Sequence, residues 1–184
     1  MIYQVKLKKQ KILNFGDPVL RQVSKPVTVF HNKLHSLIDS MAATLHSRDD
    51  GAALAAPQIG VLKRIVVIDY MDEYLELINP EIIYSDGEKT DFEGCLSLTG
   101  YFGKVKRADK IKVKYLDRNG KEHVIERKGL FSRCIQHELD HLDGVLFIDR
   151  VKEEYLIGNE DKKISLRSVM DIANGESPDK RSSE

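Results

Sequence analysis

The chain has 184 residues, 29 basic against 29 acidic side chains, 41% apolar residues and two cysteines. At roughly 100 to 200 residues per domain this reads as one domain with a core of its own. A balanced charge without a block of Lys and Arg lacks the electrostatic footprint that phosphate backbones or anionic lipid require, which argues against nucleic-acid and membrane-surface functions.

Residues 1–10 are basic and lack the apolar core of a signal peptide, and no stretch approaches ~18 consecutive apolar residues, so a cytoplasmic location is expected. In such a reducing compartment Cys95 and Cys134 are too few for a disulfide framework and stay available as thiols.

Along the chain, Leu34, Leu37, Ile38, Met41 and Leu45 fall on one helical stripe and predict an amphipathic helix over 32–47, with Asp50-Gly51 just beyond its end. Residues 64–70, 74–78, 81–85 and 110–116 are short β-branched or alternating runs bounded by Asn-Pro, Asp-Gly and Asn-Gly turn signals. Asn119-Gly120, between 112–118 and 121–127, predicts a hairpin. A second helix is expected over 130–142, preceded by Gly129 and stopped by Gly144. Strands outnumber helices and their connections are mostly too short for βαβ crossovers. The expected class is therefore α+β, with antiparallel sheets around a central helix, the one over 130–142. Residues 1–173 read as a single domain. Residues 174–184 are polar, too poor in apolar side chains to offset ordering entropy, and are expected to be disordered.

That second helix contains His137-Glu138-Leu139-Asp140-His141, an H-E-x-x-H sequence. Spacing of i to i+4 puts the two imidazoles on one face, about 5 to 6 Å apart at Cβ, as two ligands of one small cation require. Phe131, Ile135, Leu139 and Leu142 repeat on the opposite face and should enter the core. A catalytic site of this kind needs a third protein ligand and an open position. Phe147 stands where a long metzincin pattern has its last histidine and cannot ligate. Glu160 lies near the spacing of a thermolysin-like third ligand. Cys134 would be a third ligand from the same helix and reads more simply as a small buried hydrophobe. Cys95, beside Gly94 where the backbone can be approached closely, is the other soft donor, and taken by itself it too reads as a core cysteine.

Three segments together resemble peptide deformylase: Gly51-Ala52-Ala53-Leu54-Ala55-Ala56-Pro57-Gln58 (family pattern G-φ-G-φ-A-A-x-Q), Glu93-Gly94-Cys95-Leu96-Ser97 (E-G-C-L-S) and Gln136-His137-Glu138-Leu139-Asp140-His141-Leu142-Asp143-Gly144 (Q-H-E-x-D-H-L-x-G). Their order and spacing agree with the family, and the similarity runs from about Ile12 to about Asp149. The resemblance implies a hydrolase that removes the N-formyl group from the formylmethionine of nascent polypeptides and releases formate. It implies Cys95, His137 and His141 as ligands of one divalent metal, Fe2+ in cells, with Zn2+, Ni2+ or Co2+ accepted. Glu138 becomes the general base and then the general acid, and Gln58 and the backbone N–H of Leu96 the donors to the formyl oxygen. Ala52, Ala53 and Gly94 become the strand-like contacts for the peptide, which lies beside an apolar pocket for its methionine. Glu93 and Arg107 are expected to pair and hold the Cys95 loop. Partners are formylated nascent peptides and, by extension, the ribosome.

Ala53 stands where the family pattern has its second glycine and would be strained if its φ were positive. Thr99 and Phe102 also replace the usual proline and basic residue. These departures keep two alternatives open, action on another N-acyl amine and binding of formylated peptides without turnover, and the H-E-x-x-H sequence by itself leaves a third, a zincin-type endopeptidase.

Overall fold

The structure, a computed structural model, describes residues 8–174. Helix α1 spans Asn32–Leu45, followed by strands β1 (Ala53–Ala55), β2 (Ile65–Tyr70), β3 (Glu73–Asp86), β4 (Lys89–Cys95), β5 (Leu98–Arg107), β6 (Lys110–Leu116) and β7 (Glu122–Lys128). Helix α2 (Gly129–Leu142), strands β8 (Tyr155–Ile157) and β9 (Lys163–Ser165) and helix α3 (Leu166–Ala173) complete the described chain. Few helices and many strands make the class α+β, as expected.

The first sheet has the order β1-β2-β3-β6-β7, every pair antiparallel. Its centre explains the continuous apolar run of β2. Ile65 and Val67 face α1 through Leu34, Ile38, Met41 and Leu45, while Val66 and Ile68 face α2 through Phe131, Ile135, Leu139 and Leu142. A strand covered on both faces has no solvent side on which to place polar residues. Each such side chain taken fully out of water contributes about 1.5–3 kcal/mol, so α2 is held tightly against the sheet.

The second sheet has the order β4-β5-β8-β9. A third cluster lies beneath it, where Val105 and Leu156 meet Phe147, Ile148, Val169 and Ala173. Gly144 ends α2 with φ +71°, and a Cβ there would lie 2.5 Å from the carbonyl oxygen of Arg21. Only glycine permits that crossing of two backbones.

The hairpin at Asn119-Gly120 forms as expected, with Leu116 opposite Glu122. The first helix ends at Leu45, two residues early. The strands expected over 74–78 and 81–85 are one strand, because Asn79-Pro80 makes a bulge, not a turn. Asn79 adopts φ 49°, its Oδ1 accepts from the Val27 N–H and its Nδ2 donates to the Val27 carbonyl, both at 2.8 Å. The bulge falls where β3 passes from β2 to β6, and proline, lacking a donor, is tolerated there. Apart from Asn174, the expected polar tail lies outside the described residues, as do residues 1–7. Among the described residues no helix is long and apolar enough to cross a membrane.

Candidate active site and metal-ligand cluster

Helix α2 buries one face in the first sheet and turns a polar face toward the second. His137 and His141, one turn apart and both buried, bring their rings to 5.1 Å at 76°. Cys95, where β4 bends after a register irregularity between Glu93 and Cys95, places Sγ 3.3 Å from His141 Nε2. The donor atoms of Cys95, His137 and His141 all lie within 4.8 Å of one another. A tetrahedral site with metal–ligand bonds of about 2.0–2.3 Å has ligand–ligand edges of roughly 3.5 Å. The cluster therefore fits a small divalent cation after minor closure.

Electrostatics agree with that fit. Burial disfavours a proton on His137, yet the Cys95 sulfur and the Glu93 carboxylate hold its pKa well above the usual imidazole range. His141 is held well below that range, first by burial and then by His137 and Arg107. Positive charge is favoured at the centre of the cluster, and a neutral imidazole is available beside it.

His137 is oriented from behind. Its Nδ1 lies 3.0 Å from Glu93 Oε2, and because an ionised carboxylate only accepts, that nitrogen carries the proton and Nε2 is left as the ligand atom. Glu93 also accepts from Arg107 at 2.8 and 2.9 Å and from Arg133 at 2.8 Å. Burial raises the Glu93 carboxyl, but Arg107 and His137 outweigh it and hold the group far below the ordinary carboxylate range. Asp140 continues the network, taking Arg107 at 2.5 Å and Arg150 at 2.5 and 2.6 Å. The expected Glu93–Arg107 pair is thus formed. Arg133, Asp140 and Arg150 were not anticipated, although Arg133 sits one turn before His137 and shares its face. Phe147, too, has a place here, its ring stacked at 6.0 Å on His137.

Glu138 is buried, and its Oε2 has no hydrogen-bond partner. Burial pushes its carboxyl up to about 7; the charge of Glu93 adds to the rise and His137 opposes it. Gln58, 1% exposed, has its amide fixed in one direction. Its Oε1 accepts from the Ala55 N–H at 2.8 Å, so its Nε2 faces Cys95 Sγ at 3.5 Å and Ser97 Oγ at 3.4 Å.

These groups line a cleft of about 400 Å³ together with Ala52, Ala53, Gly94, Leu96 and Cys134. Cys95, His137, Glu138 and Gln58 thus share the cleft with Ala52, Ala53, Gly94 and Leu96, and His141 joins them through the ligand cluster. Ala53 is an extended residue paired with Ile68 and is absent from the positive-φ positions, so the strain considered for it does not arise. Cys134 both packs on the core and borders the cleft, with its thiol pushed up by burial. Glu160 is exposed, pairs with Lys162 at 2.8 Å and has no part in the ligand cluster. The endopeptidase reading thereby loses its third ligand.

A family model described as polypeptide deformylase matches residues 9–155. A peptide deformylase of Thermoanaerobacter pseudethanolicus is 53% identical over 139 residues, 76% of this chain and 87% of its own. Among solved structures, peptide deformylase from Thermotoga maritima is similar with a TM-score of 0.76 at 42% identity, covering 79% of this chain and 99% of that chain. The enzyme from Synechococcus elongatus, solved in complex with actinonin, gives a TM-score of 0.78 at 37% identity over 97% of this chain and 95% of that chain.

Proposed function

The chain belongs to the polypeptide deformylase family, and on that premise we propose which of its residues do the work. It is a hydrolase that removes the N-formyl group from nascent peptides. Peptide deformylases use a divalent metal, and Cys95, His137 and His141 are the residues that would hold it. The cation, when bound, supplies a Lewis acid for the formyl carbonyl and lowers the pKa of a water toward ~7. We assign ferrous iron to the site. A sulfur and two imidazoles suit iron, zinc, nickel and cobalt alike, so this assignment rests on resemblance to the family.

Glu138 takes a proton from the attacking water on its carboxylate and returns it to the departing peptide nitrogen, which leaves as a free amine with formate as the other product. A carboxyl poised near 7 suits a group that must accept and then donate at neutral pH. The Nε2 of Gln58 and the backbone N–H of Leu96 donate to the formyl oxygen as negative charge develops there; loss of one such donor commonly lowers the rate 10²- to 10³-fold. β1 and β4 are terminal strands of their sheets, and residues beside or within both line the cleft. A peptide entering as an extended strand would pair with backbone at Ala52, Ala53 and Gly94.

The observation carrying this assignment is the buried Glu138 oxygen without a partner beside three clustered donor atoms. The test is formate release from formyl-Met-Ala-Ser by ferrous protein prepared without oxygen. Turnover by the native chain and its loss in Glu138→Gln support the reading, and undiminished turnover in that variant refutes it. We further propose that residues 1–173 form one catalytic unit acting in the cytoplasm, where it meets nascent chains at the ribosome.

A further inference from the structure

The cleft is buried at one end and open at the other. Glu138 and Gln58 lie at the closed end, while Phe92, Phe102 and Leu130 stand 49%, 47% and 46% exposed at the mouth. Any peptide whose first residue reaches Glu138 must leave across that mouth. Phe92 and Phe102 also border a second, small notch of about 70 Å³, completed by Gly103, Lys104, Glu153, Tyr155 and Ile157. The strand register explains why these side chains meet. Phe92 lies opposite Lys104 across β4 and β5, and Phe102 lies opposite Ile157 across β5 and β8. Two residues along in the same antiparallel register brings Tyr155 beside Lys104 on that outer face. Gly94, next to the Phe102 ring, has no side chain to interrupt the path; a Cβ there would sit 2.7 Å from the ring.

We propose that this notch is a subsite for a large apolar side chain of the substrate downstream of its formylmethionine, so that β8 extends the peptide-binding surface. The inference rests on the deformylase reading of the cleft. Three observations carry it: Phe92 and Phe102 as walls shared by the two cavities, room for one side chain only, and a lining that includes aromatic and branched residues. Lys104 and Glu153 bring opposite charges, so the notch favours neither an acidic nor a basic side chain on balance. Ile157 and the rest of β8 after Tyr155 lie past the end of the family match at residue 155. Selectivity at this point therefore belongs to this chain and to relatives that share the added strand.

The experiment uses metal-loaded full-length protein and two readouts. Formyl-Met peptides of six residues carry Leu or Ala at the third, fourth or fifth position, and formate release gives kcat/KM; calorimetry with the corresponding unformylated product peptides gives Kd. One position should favour Leu over Ala roughly three- to tenfold in both readouts, a partial share of what full burial of Leu yields. In Ile157→Ser that preference should fall to about one. Val124→Ser, on an exposed position of β7, should retain it. No preference at any position in the native protein overturns the subsite, as does a preference surviving intact in Ile157→Ser. Formyl-Met-Ala-Ser, which carries no large apolar side chain after its methionine, separates the two levels. Failure to release formate from it counts against the deformylase reading, while the product-peptide affinities still decide the subsite.

Discussion

Glu93 and His137 are joined by a hydrogen bond of 3.0 Å between the carboxylate Oε2 and the imidazole Nδ1, and both carboxylate oxygens are also held by Arg107. The bond fixes which nitrogen of His137 faces the ligand cluster. Glu93→Gln leaves the imidazole free to take the other tautomer and deprives Arg107 and Arg133 of their buried counter-charge. Metal affinity should fall 10- to 100-fold, as measured by competition with a chelator. Folding stability should drop by about 3–5 kcal/mol in urea titration, the usual consequence of breaking one side of a buried pair. Affinity within twofold of the native value would show that Glu93 does not orient the ligand.

Glu138→Gln keeps the shape of the side chain and removes the proton acceptor. It is expected to retain metal at native stoichiometry while kcat falls at least 10²- to 10⁴-fold. Loss of metal together with activity would point to a ligand role and contradict the assignment.

The raised Glu138 carboxyl has a thermodynamic consequence in metal-free protein. Its pKa is about 7 when folded and near the ordinary 4.5 when unfolded, so between those values the folded state holds a proton that the unfolded state lacks. Stability contributed by this group therefore declines as pH rises through that window, by about 3 kcal/mol in all. Urea titrations at pH 5 and pH 8 should show the decline in native protein and a flatter profile in Glu138→Gln. Loading with a divalent cation places an opposite charge nearby and should shrink the slope. An identical slope in native protein and variant would exclude Glu138 as its source.

The helix bearing the two histidines was legible because ligand spacing and core spacing obey one period: packing residues at Phe131, Ile135, Leu139 and Leu142 put His137 and His141 on the other face. The strand carrying Cys95 was not. Lys89–Cys95 presents mostly polar residues, and its most consequential inward side chain is the charged Glu93, satisfied by Arg107, Arg133 and His137. A reading by hydrophobic alternation looks for apolar residues on the buried face and passes over a strand whose buried face is ionic. Asn79-Pro80 failed for a different reason. Its turn-like chemistry is real, but Val27 absorbs it as a bulge within a continuous strand. Gln58 was legible only through the family pattern, because nothing local to Pro57-Gln58 foretells that Ala55 will capture its carbonyl oxygen.

Ala53 occupies a position where the family pattern carries glycine, yet it is a regular strand residue opposite Ile68. Restoring glycine relieves no strain and adds freedom to the unfolded chain. Ala53→Gly should therefore lower stability by roughly 0.5–1 kcal/mol in denaturant titration. A gain in stability would mean that the methyl is crowded in the folded protein.

Gly94 is required by space, since its φ is ordinary and the Phe102 ring occupies the place of its missing side chain. The ring is half exposed and can swing away, so Gly94→Ala should unfold at nearly the native denaturant concentration. The displaced ring has the cleft mouth to move into, where it meets the incoming peptide. KM for formyl-Met-Ala-Ser should rise about tenfold with kcat changed far less, the pattern expected when binding common to substrate and transition state is lost. Phe102→Ala introduced into that variant removes the colliding ring and should bring KM back to within about threefold of native. If the double variant binds no better than Gly94→Ala, the new methyl obstructs the peptide backbone directly and the ring is a bystander.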